Sequence, residues 1–147
     1  MKKLLILFAV ILFGVSATYA QGVWTLNVSW DDSSCDNCTN GYFEVVFSIY
    51  DDANSVAIYT NQTISNIDLT ESDIDISVPL VESNCDKESE TYIPSYSIQV
   101  AVYMYCYYGL VPEVICSKSG GDTGVSCYTF YNTTVEVDVG ALIPVEK

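Results

Sequence analysis

Apolar and polar residues alternate with a period of two along most of this chain, and no other feature constrains its fold as strongly. Trp24, Leu26, Val28 and Trp30 alternate with Thr25, Asn27 and Ser29. From Tyr42 to Ile49, one face carries Phe43, Val45, Phe47 and Ile49; the other carries Tyr42, Glu44, Val46 and Ser48. Ile74, Ile76, Val78 and Leu80 alternate with Asp73, Asp75 and Ser77, and Val135, Val137 and Val139 repeat the pattern near the C-terminus. Successive side chains of a strand point to opposite faces, so these runs predict half-buried strands. A weaker strand is expected over 56–62, the longest over 96–108, a return strand over 113–117 and further strands over 126–131 and 133–139. Asp51-Asp-Ala-Asn54 and Gly109–Pro112 read as turns, Asn84–Glu90 as an acidic loop, and Ser119-Gly-Gly-Asp-Thr-Gly124 as the most flexible stretch. No 3.6-residue period appears beyond the first twenty residues. Seven to nine short strands at this spacing predict an all-β, antiparallel β-sandwich.

The N-terminus carries a different signal. Lys2 and Lys3 precede an apolar run from Leu4 to Val15, and Thr18-Tyr19-Ala20 offers a small-residue exit. This pattern predicts a secretory signal peptide over 1–20, cleaved after Ala20. It leaves 21–147 as one domain, with neither a repeat nor an inter-domain linker. The expected destination is the periplasm, the cell surface or the exterior. The leader's apolar run is too short for a comfortable membrane span, and nothing later is long enough.

All 19 acidic residues follow the leader, against Lys87, Lys118 and Lys147, with no Arg and no His, so the mature domain carries a net charge of −16. Such a surface repels phosphate backbones and anionic membranes, which argues against nucleic-acid binding. It serves solubility, with cation binding or an electropositive partner as the functional alternatives. The absence of His removes the common triads and proton shuttles. A glycosidase could run on two carboxylates, but no pair stands out among 19 acids. The chain is read as non-enzymatic.

Three segments carry a family resemblance. Leu26-Asn-Val-Ser-Trp30, Gly41-Tyr-Phe-Glu-Val45 and Tyr96-Ser-Ile-Gln-Val-Ala101 resemble the second, third and sixth strands of fibronectin type III domains. That family places a Trp in its second strand and a Tyr-x-x-x-Val-x-Ala-like pattern late in the domain. The chain departs from it in longer spacing and in its six cysteines. The resemblance implies an immunoglobulin/fibronectin III-like sandwich with an accessory or adhesive role, and no activity.

Six cysteines in an oxidising compartment suit three disulfides. Cys35-Asp-Asn-Cys38 has the spacing of a redox pair, but it falls in a strand-to-strand loop flanked by carboxylates, where a thiol is not activated. A zinc site would need further ligands nearby, and His is absent. If consecutive strands run antiparallel, the loops at 31–40 and 109–112 share one end, and those at 51–54, 81–94 and 118–126 share the other. That arrangement favours Cys35–Cys38, Cys85–Cys127 and Cys106–Cys116.

Two clusters are candidate sites. Asp31, Asp32 and Asp36, with Asn37 and Asn40, form an oxygen-rich loop that calcium would suit, although a solvated turn uses the same residue types. No other cofactor is implied. On the longest strand, Tyr96, Ile98, Val100, Val102, Met104 and Cys106 share the core face, which leaves Tyr103, Tyr105 and Tyr107 on the outer one. With Tyr42 and Tyr50 on a neighbouring strand they would form an aromatic patch. Such a row is either covered by another segment, in contact with a protein partner, or stacked on sugar rings. Asn27, Asn37, Asn61 and Asn132 head Asn-x-Ser/Thr sequons, which matter only in a host that glycosylates them.

The sequence thus predicts a secreted adhesion, assembly or protein-interaction module working through an exposed tyrosine face. Its partner would be a protein or polysaccharide at the cell surface, with self-association included. The alternative is a carbohydrate-binding domain, calcium-assisted or not. A small hydrolase is a third reading; it requires a cleft with two carboxylates.

Overall fold

The computed structural model describes residues 23–35, 38–52, 55–79, 95–126 and 134–146. These form two β-sheets and no helix. In chain order the strands are β1 (Val23–Asp31), β2 (Gly41–Asp51), β3 (Val56–Ile67), β4 (Asp73–Pro79), β5 (Ser95–Tyr107), β6 (Pro112–Ser126), β7 (Val135–Ala141) and β8 (Ile143–Pro144). One sheet has the order β4-β1-β7 and the other β3-β2-β5-β6-β8. The leader residues 1–20, the acidic loop 84–90 and the strand expected over 127–131 lie outside the described residues.

The alternating runs bury the faces they predict. Trp24, Leu26, Val28 and Trp30 of β1 meet Phe43, Val45, Phe47 and Ile49 of β2, the inward residues of β5, and Val135, Val137 and Val139 of β7 in one apolar core. Rings lock the sheets together: Trp24 packs edge-on against Tyr96 at 5.3 Å, and Trp30 lies 5.1 Å from Phe43. The Tyr59 hydroxyl on β3 also donates across the gap to the Pro79 carbonyl at the end of β4.

One pairing departs from the expected antiparallel pattern. β7 runs parallel to β1, with Leu26 opposite Val135 and Val28 opposite Val137. The cause is chain direction: β6 finishes at the end of the sandwich from which β1 starts. The next strand to cross into the three-stranded sheet must therefore run the same way as β1. After Ala141 the chain crosses back, and β8 adds to the edge of β6, with Cys116 opposite Pro144.

The segment 119–124 is strand, not a flexible loop. β6 runs unbroken through it, with Ala101 opposite Ser119 and Gln99 opposite Gly121. A Cβ on Gly121 would sit 2.3 Å from the Ile98 carbonyl oxygen. Glycine is used here for close backbone approach beside a register shift between Tyr96 and Ile98, rather than for mobility.

The disulfides also differ from the expected set. Cys35 bonds Cys116, and Cys38 bonds Cys106. Neither Cys35–Cys38 nor Cys106–Cys116 forms, and Cys85 and Cys127 lie outside the described residues. The expected placement of the 31–40 loop beside the β5–β6 turn is correct: the Tyr107 amide donates to the Asn40 carbonyl. Pairing fails on register. Cys116 sits opposite Met104 and Cys106 opposite Glu113, with a bulge between, so the two hairpin cysteines do not face each other. Cys35 instead reaches β6 and Cys38 reaches β5, so both hairpin strands are tied to the segment that follows β1. Gly41 lets β2 start in close contact beside the Cys38–Cys106 bond, because a Cβ there would lie 2.0 Å from the Tyr105 carbonyl oxygen and 2.8 Å from Cys38 Sγ. The disulfides agree with an extracellular or otherwise oxidising compartment.

Candidate functional site on the outer face of the larger sheet

The outward residues of β2, β5 and β6 form cross-strand rows. Nearest the β5–β6 turn, Tyr107 faces Pro112; the next row joins Tyr42, Tyr105 and Val114, and the next Glu44, Tyr103 and Ser117. Behind these comes a row of short side chains, Val46, Ala101 and Ser119, followed by Ser48, Gln99 and Gly121. Side-chain height drops between the third row and the fifth. The result is a shallow groove of about 430 Å³, lined by Val46, Ser48, Asn61, Gln99, Ala101 and Ser119, with Tyr103 at its edge.

The tyrosines form a compact group. Tyr42 and Tyr105 stack at 5.0 Å with their planes 12° apart, and Tyr107 lies 6.1 Å from Tyr42. Tyr42, Tyr103 and Tyr105 are half-buried, whereas Tyr107 is exposed. Burial, followed by the neighbouring Glu44 carboxylate, holds the Tyr105 hydroxyl above the usual tyrosine range. Tyr42 is raised by burial and then by Tyr107 and Glu44. Glu44 joins this network to β3 by accepting from the Ser65 hydroxyl at 2.7 Å. Tyr50 does not belong to the group. It sits opposite Ser97 at the far end of β2, roughly 27 Å from Tyr42 at the rise of an extended strand.

Asn61 gives the groove its polar wall. It adopts a left-handed conformation (φ 46°) where β3 bulges against β2. Its amide donates to the Ser48 hydroxyl at 2.9 Å, and that hydroxyl reaches back to the Asn61 side-chain oxygen at 3.4 Å. Amide and hydroxyl groups thus line the groove, with no Asp or Glu among its described residues.

The described part of the aspartate loop is held by turn contacts. The Asp31 carboxylate accepts the Ser33 amide at 2.9 Å, and this bond, followed by one from the Ser33 side chain, lowers its pKa. The Asp32 carbonyl accepts the Cys35 amide at 2.8 Å. These are turn contacts. Asp36 lies outside the described residues, and among those described no three metal-ligating side chains come together. Asp52, at the opposite end, accepts the Ser95 and Ser97 hydroxyls at 2.9 and 2.5 Å and so closes the base of β5. Asn27 bridges Asp73 and Asp75 on the outer face of the smaller sheet at 3.2 and 2.9 Å.

The groove was missed by sequence reasoning. Its signal lies in three short residues, Val46, Ala101 and Ser119, that become neighbours only once the register is known. Among the described residues, no helix is long and apolar enough to cross a membrane. No family model, curated protein or solved structure matches the chain, so a functional reading rests on its own residues.

Proposed function

We propose that the protein is a secreted, non-enzymatic binding module whose contact surface is the outer face of the five-stranded sheet. The observation that carries this reading is the continuity of the tyrosine group with the groove. Tyr42, Tyr105 and Tyr107 supply rigid amphipathic area, and a concave strip begins one row further along the same face, with Tyr103 between. Tyrosine combines large contact area with a polar tip at low entropic cost, which suits adhesion and assembly surfaces. The signal-peptide pattern read over 1–20 supports delivery outside the cytoplasm.

Strand order supports an immunoglobulin/fibronectin III-like reading of the scaffold. In that reading β1 and β4 take the part of the B–E pair, and the order β3-β2-β5-β6 that of C′-C-F-G. The three resembling segments fall on β1, β2 and β5, the B, C and F positions. The departure is β7, which fills the place of a first strand but runs parallel to β1.

The groove itself favours a second reading, carbohydrate binding. Ser48, Asn61, Gln99 and Ser119 offer hydroxyl and amide partners beside the Tyr103 ring, in a volume suited to a small ligand. The Tyr42–Tyr105 stack engages each ring with the other, which points those two toward protein contact instead.

The test is Tyr103→Ser with Tyr105→Ser in an otherwise folded protein, read by partner capture and sedimentation. Loss of association supports the proposal, and unchanged association overturns it. A glycan array separates the two readings, since polysaccharide binding lost on Ala101→Leu assigns the groove to sugar.

A further inference from the structure

We propose that the apex of the β5–β6 hairpin, residues 107–111, is a membrane-contact tip that dips reversibly into the interface of an uncharged lipid surface. Among the described residues, seven large apolar side chains are exposed, and four of them, Tyr107, Tyr108, Leu110 and Val111, lie together at the β5–β6 turn. Leu110 is 99% exposed, Val111 73% and Tyr108 59%, with Tyr107 just behind. Ile143 and Val145 run alongside, where the Val145 amide bonds the Ile115 carbonyl. The seventh, Val56, lies at the opposite end, paired with Asp51.

Turns ordinarily carry polar residues, so an aliphatic pair at the apex needs an occupant. The chemistry is graded with depth. Leu110 and Val111 form the point, the tyrosines form a collar behind it, and no charged residue occurs from Tyr105 to Pro112. That order matches a bilayer interface, where aliphatic groups reach the acyl boundary and tyrosine rings sit at headgroup level. The hairpin is also held rigid at its base, because Cys106 and Cys116, one on each strand, are both tied to the 31–40 loop. Beyond Cys106 the four residues to Leu110 reach at most about 13 Å, enough for an insertion depth of about 5–10 Å.

A second copy fits less well. The four apex residues expose on the order of 500 Å², below the roughly 800 Å² per partner of a standard interface. A strongly acidic chain also repels its own copies. A lipid interface requires no matching surface. The exposed Glu113 next to Pro112, with Asp31 and Asp32 at the same end, disfavours anionic lipid relative to uncharged lipid.

Flotation of the mature protein with phosphatidylcholine vesicles tests this, alongside vesicles containing phosphatidylserine. Wild type should float with the first and less with the second. Leu110→Asp with Val111→Asp should lower the bound fraction at least roughly tenfold without moving the unfolding midpoint. In Leu110→Trp, the added indole should shift to the blue on vesicles and be quenched by brominated acyl chains. The two native tryptophans are buried and stay silent. Tyr103→Ser with Tyr105→Ser should float normally, which separates this tip from the proposed binding face. The proposal is overturned by wild type that does not float, by equal flotation of the double aspartate variant, or by an apex variant that loses only protein association.

Discussion

Tyr42 and Tyr105 occupy directly opposed positions on β2 and β5, and their rings stack at 5.0 Å within 12° of parallel. A cross-strand pair of this kind joins register to surface chemistry, because the contact exists only while the two strands keep their alignment. A double-mutant cycle with Tyr42→Ala and Tyr105→Ala should return a coupling energy of about 0.5–1.5 kcal/mol. Denaturant unfolding measures it, and additive single effects would show that the stack does not stabilise the sheet.

The same pair should titrate late. Burial comes first among the causes raising both hydroxyls, with Glu44 contributing to each. A folded-state pKa above the unfolded one means the stabilisation is fully present below pH 10, the ordinary tyrosine value. It is lost as pH rises through the raised values. Tyrosinate absorbance should therefore lose part of its late-titrating amplitude in Tyr42→Phe and Tyr105→Phe, and Glu44→Gln should bring Tyr105 closer to its ordinary range.

Disulfide mapping under non-reducing conditions should recover peptides joining Cys35 to Cys116 and Cys38 to Cys106. The bonds close loops of 81 and 68 residues. Replacing either pair with serine should cost roughly 4 kcal/mol in the chain-entropy description. Similar losses are expected for the two, because loop length enters only through its logarithm.

Gly121→Ala should destabilise by about 2–3 kcal/mol, since its Cβ meets the Ile98 carbonyl oxygen and the ladder must shift. Gly109→Ala, with open space around the new methyl group, should change stability by no more than about 0.5 kcal/mol. Thermal or chemical unfolding of the two variants makes the comparison.

Ala101→Leu adds bulk in the row between Val46 and Ser119 and should fill the groove without disturbing the core, because position 101 faces outward. Ligand binding that depends on the groove should fall, while the unfolding midpoint stays within a few degrees. A direct binding measurement on the folded variant decides it.

Much of the candidate face was legible in advance. Alternation along 96–108 assigned Tyr103, Tyr105 and Tyr107 to the side opposite Ile98, Val100 and Val102, and the strand keeps that division. Tyr50 was grouped with Tyr42 because both share a face of β2, but sharing a face says nothing of distance along the strand. The hairpin apex carried a readable sign, an aliphatic pair inside a turn. The segment 119–124 misled because glycine marks either mobility or close approach, and only the neighbour, here the Ile98 carbonyl, tells which.

The sequence by itself determined what local sterics determine: that the chain forms strands, and which side of each strand is apolar. A period of two needs no partner to be read, since it follows from the pleat. Cysteine pairing, the parallel course of β7 and the groove among Val46, Ala101 and Ser119 were decided by the tertiary structure alone. Each depends on which residues stand opposite one another across strands distant in sequence. A shift of one or two residues, such as the bulge between Met104 and Tyr105, changes every such neighbour while leaving the pattern along each strand intact.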